Sequence, residues 1–232
     1  MPRVSGTNTH QGGNGQEKTR ERILSVAALL FSEKGFEGTS VRMICAKAGV
    51  NVSLVNYYFR TKELLYFEVH KLMNLHLTKR MPWLGGEPEK VEGLDEWENH
   101  LHNIISGILE AQLTKDKYSM CRRRLFSQEI SRPSKCLPML IEHFFNPLRS
   151  YLTSFIRLAS PRFSDQYVSE MIVFLMNQVI GFIRLVPPWE SIMCPPGLAF
   201  EQWLDSATRR LAHMVRLDIE EELRRMALPK GE

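Results

Sequence analysis

From Thr19 to Lys34 the apolar residues Ile23, Ala27, Leu30 and Phe31 recur at the spacing of one helix face, and Gly35 stands where such a helix stops. "GFEGTS" then reads as a turn. A second stripe, Val41, Ile44, Cys45 and Ala48, lies behind Thr39 or Ser40 as N-cap and ends at Gly49. Asn51 is placed to cap a very short third helix running from about Val52 to Tyr58. Thr61 is placed to cap a fourth, Lys62–Met81, long enough to connect this small unit to something else.

Past Met81 the punctuation is proline and glycine, in "PWLGGEP", "SRPSKCLP", "SPRFS" and "PPWESIMCPPG". Between these breaks run two helical stripes: Trp97, Leu101, Ile104, Ile105 and Ile108, then Leu140, Phe144, Leu148, Tyr151 and Phe155, with a kink expected at Pro147. The segment from Gln166 to Val186 is apolar on nearly every face, which predicts contact on both sides. A last helix, about Leu198 to Met226, carries Leu204, Ala207, Leu211, Met214, Val215 and Ile219 on one side. No alternating stretch competes. The pattern predicts an all-α chain: a flexible tail over 1–16, a three-helix helix-turn-helix domain over 17–62 and a larger helical bundle over 63–228.

Charge sharpens this division. The first 62 residues hold nine Lys and Arg against four Glu, while the rest of the chain is nearly neutral. A basic excess confined to one end points to a polyanionic partner for that end. Overall the chain is 44% hydrophobic and 24% charged, the balance of a folding globular protein. No uncharged apolar run reaches the roughly 18 residues of a bilayer span, and the N-terminus has no signal-peptide core, so a cytoplasmic protein without a membrane partner is expected.

Catalytic and metal chemistry find little support. Cys45, Cys121, Cys136 and Cys194 are scattered without C-x-x-C spacing, and His100 with His102 point apart if helical. No metal and no cofactor are expected. The "RRR" of 122–124 reads as a solvated or salt-bridged helix face. No nucleophile motif or phosphate loop is present, so an enzyme is the weakest reading.

The segment "GVNVSLVNYYFRTKELL" carries a different chemistry. Two short helices around a glycine turn fit a helix-turn-helix, whose second helix enters the DNA major groove. Asn51, Ser53, Asn56, Tyr57 and Tyr58 offer groups for bases and phosphates, with Val52, Leu54 or Val55 left to pack or touch thymine methyls. Thr39 and Ser40 begin one helix and Lys62 another, where free N–H groups attract a phosphate; Arg42, Lys47 and Arg60 add charge. One such unit reads too few base pairs, so two copies about 34 Å apart, or a multiple of that, are required. The last two helices, with their surplus apolar surface, are the expected homodimer interface.

The run from Arg20 to Leu65, with "ILSVAALLFSEKGFEGTSVRMICAKAGV", an aromatic pair and F-x-x-K-E-x-L, resembles the DNA-binding domain of the TetR family of transcriptional repressors. Asn56 stands where family members usually carry a first tyrosine, which shifts the weight of the contacts to Tyr57 and Tyr58. More weakly, residues 125–156 resemble the CecR-like subgroup. The resemblance implies a homodimer on a double-stranded, palindromic operator, a ligand cavity in each bundle and release from DNA when a small apolar or amphipathic effector fills it. Candidate cavity residues are Phe126, Phe144, Phe145, Tyr151, Phe155, Met171, Phe174, Asn177, Gln178, Phe182 and Arg184, although the same Phe and Met spacing also suits plain core. The function expected is a ligand-responsive, sequence-specific regulator that represses; a non-specific architectural DNA-binding protein is the alternative.

Overall fold

The computed structural model describes residues 12–75, 86–113 and 115–228. The elements among them are all helices: α1 (Gly12–Lys34), α2 (Val41–Ala48), α3 (Val52–Phe59), α4 (Lys62–Met73), α5 (Leu94–Leu113), α6 (Ser119–Ser131), α7 (Leu137–Leu140), a π-helical turn (Ile141–Phe145), α8 (Asn146–Ala159), α9 (Asp165–Met193) and α10 (Phe200–Ala227). They form two compact units, Met1–Met73 with Met120–Met139 and Asn74–Ser119 with Leu140–Glu232.

In the first unit, α1 buries Ile23, Leu24, Ala27, Ala28, Leu30 and Phe31, and packs on α2 and α4. Its first residues lie inside the stretch expected as tail. Once the apolar stripe is anchored, each added residue gains a hydrogen bond without a new nucleation cost, and the Tyr58 hydroxyl donates to the Gln16 carbonyl at 3.1 Å. Residues 1–11 lie outside the described residues, as do positions 76–85, onto which the predicted Lys62–Met81 helix runs.

The unit does not end where the sequence divides 17–62 from 63–228. Leu65, Tyr66, Val69 and Met73 of α4 are buried, and Met120–Met139 joins the same unit. Tyr66 is the centre of this packing. Its ring lies 4.8 Å from Phe31, 5.0 Å from Phe36 and 4.6 Å from His70, each edge-on. Its hydroxyl donates to Glu129 Oε1 at 2.6 Å, and the Ser134 N–H donates to Oε2 of the same carboxylate at 3.1 Å. A buried carboxylate costs several kcal/mol unless donors surround it, so these two donors are what let Glu129 sit inside. Burial and the neighbouring Glu129 push the Tyr66 phenol well above its ordinary pKa.

The second unit is built by α5, α8, α9 and α10. Trp97, fully buried, stacks on Phe155 at 4.9 Å and donates from Nε1 to the Phe155 carbonyl at 3.0 Å. Polar groups join α5 to α10: His102 Nε2 to Asp205 at 3.1 Å, Ser106 to Thr208 at 3.1 Å, and Arg216 to Glu98 at 3.0 Å and to Asp95. His102 is thus a core residue on the α10 side. Arg122 of the arginine run is buried in the first unit, while Arg123 is half-buried and Arg124 exposed.

Two expectations shift. The irregularity expected at Pro147 appears just before it, as the π-helical turn Ile141–Phe145. Proline has no N–H for the carbonyl four residues back and its ring crowds that carbonyl, so the preceding turn widens. The apolar α9 is buried on one face only. Met171, Ile172, Leu175, Val179, Ile183 and Val186 are inside, whereas Val173, Phe174 and Leu185 are 57%, 40% and 52% exposed. By length and composition Asp165–Val186 is apolar enough to cross a membrane, yet it packs on α5 and α8 and exposes Glu170, Asn177, Gln178 and Arg184, as a bundle helix does.

Burial holds the His70 imidazole down to about 4, against an opposing pull from Glu129. Because the unfolded chain takes up the proton first, stability from this group is complete above pH 6.5 and is lost as pH falls toward 4. Unfolding free energy is expected to drop by about 2 kcal/mol between pH 6.5 and 5 through His70. Urea titrations of the wild type and His70→Gln at several pH values check this, the variant showing the flatter profile.

Candidate nucleic-acid interface

An eight-residue helix is not stable alone, so α3 must be held from outside. Two side chains do this: Val55 and Phe59 are 2% and 3% exposed, and Arg20 lies 5.5 Å over the Phe59 ring. Its entry is set by Gly49, whose φ of 65° is the left-handed conformation that glycine adopts without Cβ strain, and whose N–H donates to the Cys45 carbonyl. Asn51 Oδ1 then accepts from the Leu54 N–H at 2.8 Å and caps the helix.

With Val55 and Phe59 inside, Ser53, Asn56 and Tyr57 face outward together at the i, i+3, i+4 spacing. Tyr57 is 71% exposed. Val52 is also exposed, Leu54 is half-buried, and Val55 is a packing residue and not a thymine contact. Tyr58 is half-buried, its ring edge-on to Tyr57 at 5.2 Å and its hydroxyl bonded to the start of α1. It braces the helix as well as bordering the face.

Two capped helix starts lie before and after α3 along the chain. Ser40 is exposed and its Oγ accepts from the Met43 N–H at 3.2 Å; Thr61 Oγ1 accepts from the Leu64 N–H at the same distance. Both caps leave first-turn N–H groups for an anion. Arg42 and Arg60 are exposed near these starts in sequence and Lys47 is exposed in the last turn of α2, while Lys62 is half-buried with Nζ 4.1 Å from the Phe36 ring centroid. Thr39 does not belong to this surface. It is 1% exposed and its hydroxyl lies within hydrogen-bonding distance of the Leu30 and Gly35 carbonyls, so the neighbouring turn consumes its donor.

Sequence reasoning missed the turn between α3 and α4. Arg60 has φ 62° and ψ −57°, and the Thr61 N–H donates back to the Phe59 carbonyl at 2.7 Å. This is a tight γ-turn, a strained conformation for a residue with a Cβ. The only local signal would be a glycine, and the sequence has none there. Lys135 was missed as well: its Nζ sits 2.6 Å from Glu63 in the first turn of α4, although 72 positions separate the two residues. That pairing is the largest influence holding the Glu63 carboxyl down to about 2.

The cavity candidates scatter. Phe126 is half-buried in the first unit, whereas the others lie in the second. Tyr151 and Phe155 are buried in a stack with Trp97, which makes them core. Phe174, Asn177, Gln178 and Arg184 are exposed on α9, while Phe144, Phe145 and Phe182 are half-buried. Met171 and Phe174 line a groove of about 360 Å³ with Tyr167, Glu170, Met214, Val215 and Asp218, between α9 and α10. Among the described residues no cluster of three metal-ligating side chains occurs.

Residues 23–69 match the family described as bacterial regulatory proteins, tetR family. The chain is 25% identical over 178 residues to the probable HTH-type transcriptional regulator YttP of Bacillus subtilis, covering 66% of this chain and 82% of that protein. It is 30% identical over 121 residues to the HTH-type transcriptional regulator AcrR of Shigella flexneri, about half of each chain. Two solved structures share the fold. HlyIIR, a hemolysin II transcriptional regulator, aligns with TM-score 0.52 at 24% identity over 88% of this chain and 97% of that one. A TetR-like transcriptional regulator from Rhodococcus sp. RHA1 aligns with TM-score 0.58 at 16% identity over 84% and 93%.

Two substitutions separate contact from scaffold. Tyr57→Ala is expected to weaken duplex DNA binding at least tenfold, about 1.4 kcal/mol or more, with an unchanged melting temperature. Arg60→Gly is expected to raise unfolding free energy by about 1 kcal/mol, since the relieved strain exceeds the added chain entropy of glycine. Fluorescence anisotropy and urea unfolding measure the two.

Proposed function

We propose that this TetR-family, DNA-binding transcriptional regulator acts as a homodimeric repressor, released from a palindromic operator by a small apolar or amphipathic effector. The observation that carries the DNA part is the outward face of α3, where Ser53, Asn56 and Tyr57 stand clear of the core. Ser53 and Asn56 supply donors and acceptors for base edges, and Tyr57 a flat surface with a polar tip. First-turn N–H groups behind Ser40 and Thr61, with Arg42 and Lys62, take the phosphates and fix the register.

Dimerisation is supported by exposed apolar residues of the second unit. Val173, Phe174 and Leu185 on α9 and Met214 and Leu217 on α10 are each at least 40% exposed. Met214, expected inside the α10 stripe, is 54% exposed because Leu211 and Val215 take the inner positions. Burying one such side chain is worth about 1.5–3 kcal/mol, so a second copy related by a twofold axis gains substantially by covering them. That pairing closes the groove lined by Met171, Phe174 and Met214.

For the effector, Phe144, Phe145 and Phe182 are the aromatic candidates of the second unit that are half-buried, neither closed in the core nor open to water. Aromatic walls of this kind suit an apolar or amphipathic ligand. Release follows if the effector prefers the dimer conformation whose reading heads no longer match the operator, and its size is bounded by that preference.

Binding of the full chain to a duplex from upstream of its own gene is expected to exceed binding to a scrambled duplex by at least 10³-fold at fixed salt. A ratio near one supports an architectural protein instead. Met214→Glu is expected to shift the chain from dimer to monomer in sedimentation and to remove operator binding, while the isolated fold keeps its helical content.

A further inference from the structure

Lys135 lies in the loop between α6 and α7, which the sequence assigns to the bundle, yet it belongs to the first compact unit. Buried anchors hold the loop on both sides of it. The Glu129 carboxylate, itself bonded to the Tyr66 hydroxyl, accepts from the Ser134 N–H at 3.1 Å, and the Cys136 N–H donates to Ser134 Oγ at 3.1 Å. Cys136 is 3% exposed, whereas the Lys135 side chain is 61% exposed. The loop backbone is fixed and its lysine is displayed.

The lysine is displayed at the start of α4. Its Nζ reaches Glu63 Oε1 at 2.6 Å and lies 5.6 Å from the Phe36 ring centroid; Lys62 Nζ lies 4.1 Å from the same centroid. Two ammonium groups sharing one ring stand within about 10 Å of each other, roughly one Debye length at 0.1 M salt, and a phosphate at either feels both. Glu63, and Glu37 more distantly, face Lys135. Left uncompensated, these carboxylates would repel a phosphate beside the start of α4. An ammonium has three donors, and Glu63 takes one.

We propose that Lys135 is a DNA-backbone contact: the α6–α7 loop places it beside Lys62 so that both ammonium groups bind operator phosphate at the start of α4. This rests on the reading-head assignment above and extends the interface to a residue far outside positions 23–69.

The test uses the full-length protein, with a fluorescent duplex from upstream of its own gene and a scrambled duplex of equal length, titrated at several salt concentrations. Lys135→Gln is expected to weaken binding to both duplexes by about threefold to tenfold and to lower the slope of log K against log salt by about 0.9, with the melting temperature unchanged. The same loss is expected in a Glu63→Gln background, and Lys135→Arg keeps the wild-type slope. An unchanged slope in Lys135→Gln, while Tyr57→Ala loses binding, overturns the contact alone. A loss that Glu63→Gln abolishes also overturns it, since Lys135 then only neutralises Glu63. If Tyr57→Ala and Lys135→Gln both bind as the wild type does, the reading head itself is misassigned and the contact falls with it.

Discussion

Helix α3 is too short to exist by itself. Eight residues gain too few hydrogen bonds to offset nucleation, so the polar face of α3 depends on the burial of Val55 and Phe59 and on caps at each end. Everything the first unit does follows from supplying that support. Phe59 is covered by Arg20, whose guanidinium is in turn fixed by Glu68 at 2.7 Å. Tyr58 ties the helix to the beginning of α1. The strained γ-turn at Arg60 completes the enclosure by starting α4 at once, with Thr61 as its cap.

A second layer of support comes from far along the chain. The aromatic group of Phe31, Phe36 and Tyr66 closes the core around α1 and α4, and the Tyr66 hydroxyl makes that core receptive to the Glu129 carboxylate. Glu129 brings α6 and its loop with it, and Gln128 adds a bond to the Ser32 carbonyl at 2.9 Å. Such a buried polar network has a cost when half satisfied, so it specifies one docking position where an apolar contact would tolerate several. Electrostatics at the α4 start are therefore set by both a local residue, Lys62, and a distant one, Lys135.

The second unit divides its apolar residues between two purposes. One face of α9 joins Trp97, Phe155 and their neighbours in the core, and the other leaves Val173, Phe174 and Leu185 in water. A helix that needs apolar surface on both sides within one bundle would show none of this exposure. The asymmetry leaves part of the apolar surface of α9 uncovered among the described residues.

Local order was determined by the sequence alone: helix periodicity, the glycine at position 49 and the caps at Ser40, Asn51 and Thr61 all act over three or four residues, and each stands in the structure where the pattern puts it. The stripe Trp97, Leu101, Ile104, Ile105 and Ile108 is likewise buried throughout. Tertiary structure decided what depends on neighbours distant along the chain. It withdrew Thr39 into a turn, turned Met214 outward, made Tyr151 and Phe155 core and carried Lys135 to Glu63. Periodicity says which side of a helix is apolar, but only packing says what meets that side, and a positive φ at an arginine is imposed by the closing of helices around it.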